Sequence, residues 1–180
     1  MSAALKYAPR YTHSDYQKWE GRWELWEGVA VSMSPSPFGR HSAIASRLIQ
    51  VLVNAIDNSR CNAAVLNEID WIVQDDTVVR PDMVVVCGGI PERHVESAPA
   101  IVVEVLSDAT RSRDLTYKRE LYQAQRVANY LVVDPENESI IIYMVNADGE
   151  TRTVDVTDSV NLSICSDCQI DLPRSDVFRH

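Results

Sequence analysis

Glycine is scarce in this chain, at 6 of 180 residues, and proline is held to 8. Both fall between periodic segments, with no internal repeat and no low-complexity stretch, so the composition is that of an ordinary folded domain. No apolar run approaches the roughly 20 residues of a spanning helix. Residues 1–10 lack the apolar core of a secretory signal. The expected location is therefore the cytoplasm, with no membrane partner. Basic residues are also in deficit: 17 Lys and Arg stand against 26 Asp and Glu, a net charge of −9. That balance counts against broad nonspecific affinity for nucleic acid. It leaves room for a local basic surface, and for carboxylates partly neutralised by a bound metal. Cysteine is limited to four residues. Cys87 ends an apolar run and reads as a small buried hydrophobe. Cys165 and Cys168 form a CxxC, half of a zinc site with no second pair at ligand spacing. They read as two unrelated thiols on a C-terminal strand and its turn.

What is present suits one domain over residues 1–180, with 46% hydrophobic residues and enough chain to bury a core. Ser14-Asp15-Tyr16-Gln17 has the form of a capping box and predicts a short helix to about Glu20. Trp23 to Met33 predicts a hairpin about Glu27-Gly28, and Ser34-Pro35-Ser36-Pro37 an extended turn. Ile44, Leu48, Val51, Leu52, Ala55 and Ile56 recur at helical steps and predict a helix over 39–57. Strands follow at 64–73, 78–87 and 100–106. The last two are near-continuous apolar runs, as expected of central strands buried on both faces. A helix at 113–126 and strands at 127–133, 139–145 and 151–156 complete the pattern. The tail to His180 is weakly patterned. A helix joining a central strand to a later one predicts a right-handed crossover onto a mixed sheet.

Two carboxylates interrupt these apolar runs. Glu104 lies within Val103-Glu104-Val105, and Asp82 opens Met83-Val84-Val85-Val86. A charge buried in a strand is costly unless it is paired or binds a metal. If the two strands form a hairpin with Cys87 facing Pro99, then Asp82 faces Glu104, with Cβ atoms about 5 Å apart. Such a pair repels unless a cation intervenes, and hard ions such as Mg²⁺ take one or two carboxylates plus water and phosphate. On the following helix Leu115, Lys118, Leu121 and Tyr122 share a face, which turns Lys118 toward the sheet, with Asp114 four residues earlier as its partner.

Arg80-Pro81-Asp82, Val103-Glu104-Val105-Leu106-Ser107, Asp114 with Lys118 and Tyr122, and Asn129-Tyr130-Leu131-Val132-Val133-Asp134-Pro135 together resemble the Uma-two family of restriction endonucleases, in the PD-(D/E)XK nuclease-like superfamily. Trp23-Glu24-Leu25-Trp26-Glu27-Gly28, Met33-Ser34-Pro35 and His41 resemble the same family, and the similarity spans about residues 12–145. The resemblance implies an α/β fold: a restriction-endonuclease-like mixed sheet flanked by helices, with an N-terminal helix and β-hairpin extension. It also implies that Asp82 and Glu104 bind Mg²⁺, or Mn²⁺, in a catalytic site with Lys118. The superfamily's strand lysine is absent here, since Leu106 stands two residues after Glu104; Lys118, on the helix, replaces it. Glu27 stands where relatives carry Asp.

Each assignment has a plainer alternative. Asp82 is also read as a strand-start cap, Glu104 as an acid paired with Arg80 or Arg113, and Lys118 as a snorkelling lysine. Glu24, His41, Asp114 and Tyr122 are possible accessory residues. Arg111, Arg113 and Arg119, on a locally basic stretch, are the candidates for backbone phosphate contact. The leading functional expectation is a metal-dependent endonuclease acting on nucleic acid, most naturally DNA. The competing expectation is a catalytically inactive domain of the same fold, used for binding or assembly. Exposed sheet edges suggest a homodimer.

Overall fold

The computed structural model describes residues 9–33 and 39–179. The extended turn expected at Ser34–Pro37 lies outside them. Helix α1 (His13–Tyr16) is followed by β1 (Trp23–Trp26), β2 (Val29–Ser32) and the long α2 (Gly39–Ser59). Strands β3 (Ala63–Asn67), β4 (Trp71–Gln74), β5 (Thr77–Val79), β6 (Met83–Cys87) and β7 (Ile101–Val105) come next. A helical stretch has three parts: α3 (Arg111–Arg113), a π-helical turn (Asp114–Lys118) and α4 (Arg119–Ala124). Strands β8 (Asn129–Asp134), β9 (Ser139–Val145), β10 (Thr151–Asp155), β11 (Ser159–Ile164) and β12 (Cys168–Pro173) precede α5 (Arg174–Val177). No helix among the described residues is long and apolar enough to cross a membrane.

The main sheet has six strands in the order β10-β9-β8-β7-β6-β3, and every pairing is antiparallel except β7 with β8. That parallel pair is the crossover expected from the helix between the two strands. Because β7 and β8 lie mid-sheet, both their faces are covered, which accounts for their unbroken apolar runs. One face packs Met83, Val103, Leu131 and Ile142 against Leu48, Leu52 and Ile56 of α2. The opposite face packs Val84, Val102, Val132 and Tyr130 with Tyr122 of α4 and with Trp71 and Val79 of a second sheet, ordered β2-β1-β5-β4.

The β1–β2 hairpin turns at Glu27-Gly28, both with positive φ (47° and 81°). That is the backbone a two-residue hairpin loop needs. The helix cap differs from the sequence reading. Thr12, not Ser14, is the N-cap, and its backbone N–H donates to the Asp15 carboxylate at 3.2 Å. The helix is correspondingly shorter.

Two expected strands are each divided in two. Residues 64–73 break after Asn67, where Glu68 has φ 49°, and residues 78–87 break at Arg80-Pro81-Asp82. Proline cannot donate to a ladder, and at these breaks the chain passes between the small sheet and the main one. Glu68 N–H donates to the Asp82 carbonyl at 3.1 Å, stitching the two breaks together. Asp82 therefore lies at the seam between two sheets, not inside a strand.

The weakly patterned tail also folds. Strands β11 and β12 form a hairpin, and Leu162, Ile164, Ile170, Leu172, Val177 and Phe178 enter the same core as α2. The cysteine reading is corrected as well. Cys61 bonds Cys168, and Cys87 bonds Cys165, so the CxxC residues are not unrelated thiols. Cys87, at the sheet's rim, is exposed rather than buried.

Leu172 is fully buried. Leu172→Ala is expected to lower stability by about 2–5 kcal/mol through lost burial and a cavity, measured by urea denaturation. An unchanged midpoint would show that the C-terminal hairpin is outside the cooperative core.

Candidate metal and catalytic site

Met83 pairs with Val103, Val84 with Val102 and Val85 with Ile101. The ladder ends at Met83–Val103, and continuing its register by one residue would set Asp82 opposite Glu104. Asp82 Oδ2 accepts the Val105 backbone N–H at 2.7 Å, which holds the carboxylate against β7. His41, near the start of α2, places Nε2 at 3.4 Å from the same oxygen. Burial opposes charge on His41, but the Asp82 carboxylate outweighs it and raises the imidazole pKa.

Glu104 points to the face that carries α4. Its Oε1 accepts the Lys118 ammonium at 2.9 Å and the Tyr122 hydroxyl at 2.8 Å. No described residue donates to its Oε2. Neither arginine considered as its partner reaches it: Arg80 is held by Asp70 at 2.7 Å, and Arg113 donates to the Ser32 carbonyl at 3.0 Å.

Lys118 is the centre of the cluster. Its ammonium lies 2.9 Å from Glu104, 3.1 Å from Glu24 and 3.8 Å from Asp114. Glu24 comes from β1 in the small sheet. Its Oε1 also accepts the Arg80 backbone N–H at 2.8 Å, and its Oε2 the Trp26 indole N–H at 3.0 Å. The Trp26 ring in turn stacks on Tyr117 with centroids 4.2 Å apart. The π-turn explains why Asp114 joins. A wider turn brings residues four apart closer to alignment, and Asp114, Lys118 and Tyr122 are all buried. Tyr130 donates to the Asp114 carbonyl at 2.9 Å and fixes the turn on β8.

The electrostatics follow from the count. Glu24, Glu104 and Asp114, all at most 3% exposed, surround one ammonium. Desolvation penalises Lys118's charge, yet Glu104, Glu24 and Asp114 more than compensate and raise its pKa well above the ordinary lysine value. It is held as an ammonium. Burial pushes Glu104 well above the usual carboxylate range; Lys118 opposes this, and the Asp114, Asp82 and Glu24 charges add to it. Asp114 is pushed up to about 6, again by burial first, with Lys118 and the Thr110 hydroxyl opposing. Neither buried Asp114 oxygen has a well-formed hydrogen bond.

This donor set fits a hard cation in part. Carboxylate oxygens are the right ligands, negative charge is in excess, and among the described residues none donates to Glu104 Oε2. No group of three or more His, Cys, Asp or Glu among the described residues forms a preassembled cage. Mg²⁺ seldom needs one, since water and substrate phosphate complete its shell.

The three candidate phosphate contacts do not form one patch. Arg111 is engaged by Asp134 at 2.9 Å and Glu136 at 3.9 Å. Arg113 lies over the Trp26 ring, beside the cluster, and Arg119 lies over Tyr143. Glu24, Asp114 and the Arg80 backbone are integral to the geometry, although only burial distinguishes them from solvated groups. The signal for Asp114 in the sequence is its four-residue spacing to Lys118.

A mixed sheet with helices and a second sheet about a buried acid–lysine cluster defines a nuclease-like α/β protein. The fold matches a crystal structure from Anabaena variabilis, described as "a putative nuclease belonging to DUF820", with TM-score 0.72 and 21% identity over 93% of this chain and 97% of that one. The chain belongs to the Uma2 family, described as "Putative restriction endonuclease", whose model matches residues 13–173 and so includes the whole C-terminal hairpin. It is also 28% identical over 149 residues to the uncharacterized protein slr1290 of Synechocystis sp., covering 79% of this chain and 78% of that protein.

Asp114 supplies a pH test without metal. Its folded pKa, about 6, lies above the ordinary aspartate value of 3.8. Its contribution is therefore complete below about pH 4 and is lost as pH rises through about 6, on the order of 3 kcal/mol. Urea denaturation from pH 4 to 7 is expected to show this decline in the wild type and a flatter profile in Asp114→Asn. Identical slopes would remove Asp114 from the cluster's electrostatics.

Proposed function

We propose that the chain is a single-domain, divalent-metal-dependent endonuclease that hydrolyses phosphodiester bonds of nucleic acid, with DNA as the substrate. The observation that carries this is the excess of buried carboxylates about Lys118, with Asp82 held against β7 beside Glu104 by the Val105 N–H. Three acids against one ammonium leave uncompensated charge in a poorly hydrated place, which a bound cation relieves.

In this reading Asp82 and Glu104 hold Mg²⁺, or Mn²⁺. The cation supplies the Lewis acidity that polarises a phosphodiester and lowers the pKa of water. Asp82 is oriented by the Val105 N–H and by His41. Glu104 is oriented by Tyr122 and Lys118, which bind one oxygen and leave the other for the cation. Lys118 stays protonated, so it acts by electrostatics: it orients the attacking water or stabilises charge developing on phosphate. It is not the base. Glu24 and Asp114 are positioning residues that hold Lys118. Arg113, beside the cluster at Trp26, is the best placed of the three arginines for a backbone phosphate; Arg111 and Arg119 have other partners.

Calorimetric titration with Mg²⁺ or Mn²⁺, followed by plasmid cleavage on the same samples, tests the reading. Asp82→Ala and Glu104→Gln are expected to lose both metal binding and cleavage. Lys118→Met is expected to lower the cleavage rate at least about 100-fold while the protein still binds metal. Equal cleavage by wild type and Asp82→Ala would overturn the assignment. A folded wild type with neither metal binding nor cleavage would favour a binding or assembly role.

A further inference from the structure

All four cysteines of the chain meet at one place, although they come from three separate segments. Cys61 lies just before β3 and Cys87 ends β6. The two are neighbours at the rim of the main sheet: Ala63 pairs with Cys87, and Gly88 N–H donates to the Asn62 carbonyl at 3.0 Å. Cys165 and Cys168 bracket the turn of the β11–β12 hairpin, where Ile164 pairs with Cys168. Each CxxC cysteine bonds a different partner on the sheet, with Cα separations of 5.7 Å for Cys61–Cys168 and 5.6 Å for Cys87–Cys165. The CxxC thus finds, through the fold, the second pair that its sequence surroundings lack. Cys61, Cys165 and Cys168 pack on the α2 core, on the face of the sheet opposite Glu104.

We infer that, when reduced, these four thiols form a tetrathiolate site for Zn²⁺ that replaces the two disulfides as the clasp between hairpin and sheet. A CxxC with a second cysteine pair is a common donor set for structural zinc, and four protein ligands leave no open position. The change between the two states is small. Disulfide sulfurs lie about 2.0 Å apart, whereas Zn–S bonds of about 2.3 Å in a tetrahedron put sulfurs about 3.8 Å apart. Side-chain rotation covers that difference within each pair, and the neighbouring positions of Cys61 and Cys87 on the rim and of Cys165 and Cys168 about one turn bring the two pairs to the same corner.

The chemistry balances with a dithiol as reductant. Each disulfide accepts two electrons and two protons to give two thiols, while one dithiol becomes its own cyclic disulfide. Two dithiols therefore yield four thiols, and Zn²⁺ then displaces four protons. The states are mutually exclusive, because a disulfide sulfur is not a thiolate ligand. In a reducing compartment the thiol state is the one favoured. The site is separate from the carboxylate cluster, and its test does not depend on nuclease activity.

The full chain, reduced with dithiothreitol, desalted anaerobically and titrated with Co²⁺, tests the inference. A single Co²⁺ per chain is expected, with thiolate-to-cobalt charge-transfer absorption and intense tetrahedral d–d bands that Zn²⁺ abolishes. Zinc should also shield the thiols from Ellman's reagent. The oxidised wild type is expected to show no bands, which serves as a control free of any folding defect. Cys165→Ser is expected to lose the tetrathiolate spectrum, and Asp82→Ala to keep it. A reduced, folded wild type without the bands would overturn the inference, as would loss of the fold on reduction that Zn²⁺ fails to restore.

Discussion

The structure depends on one buried ammonium. Lys118 touches Glu24 from the small sheet, Glu104 from the centre of the main sheet and Asp114 from its own helical turn. Taking these charges out of water costs several kcal/mol per ion, and a single cation cannot offset three acids. The cluster therefore demands close contact among three structural layers, and it still carries excess negative charge when that contact is made. The first consequence fixes how the small sheet lies against the main one. The second leaves a place for a further cation or for protons.

The main sheet divides the molecule into two faces with different tasks. One is packed by α2 and by the C-terminal hairpin and its helix, and is apolar but for Asn129, whose amide donates to the Ser163 carbonyl at 3.0 Å. The other is apolar only at its margins, where Trp71, Val84, Val102, Tyr122 and Tyr130 surround the acid–lysine cluster. Alternation along β7 makes this possible: Val103 and Val105 face the first core, while Glu104 faces the cluster. The aromatic shell keeps water from Lys118 and Glu104, which strengthens every interaction between them. The π-turn, the seam at Arg80-Pro81-Asp82 and the Glu68 turn are the irregular parts of this backbone that border the site. Each directs a group that regular secondary structure does not: the first aims Asp114 and Lys118 inward, and the other two bring Asp82 to the junction of the sheets.

Glu104 was legible because a glutamate inside Val103-Glu104-Val105 has no plain reason to be there, and Asp82 because the constant residue sum of strand register brings it to the end of the β6–β7 ladder beside Glu104. The inward face of Lys118 was legible from helical spacing. Two strand breaks were not, since Ala64–Val73 and Val78–Cys87 each read as one strand across Asn67-Glu68 and Arg80-Pro81-Asp82, where the chain passes between two sheets. The C-terminal hairpin was missed for a related reason. Its apolar residues alternate with polar ones over short strands, and the partner that buries them is α2, more than a hundred residues earlier.

The sequence by itself determined the two long helical stretches and the central strands, the carboxylates that interrupt or border those strands and the lysine that answers them. These depend on local periodicity and on the cost of burying charge, both of which act within a few residues. Only the tertiary structure decided that Glu24 completes the cluster, that Arg111 pairs with Asp134 and Glu136, and that the four cysteines share one corner. Those outcomes rest on contacts between segments distant in the chain, which local pattern does not encode.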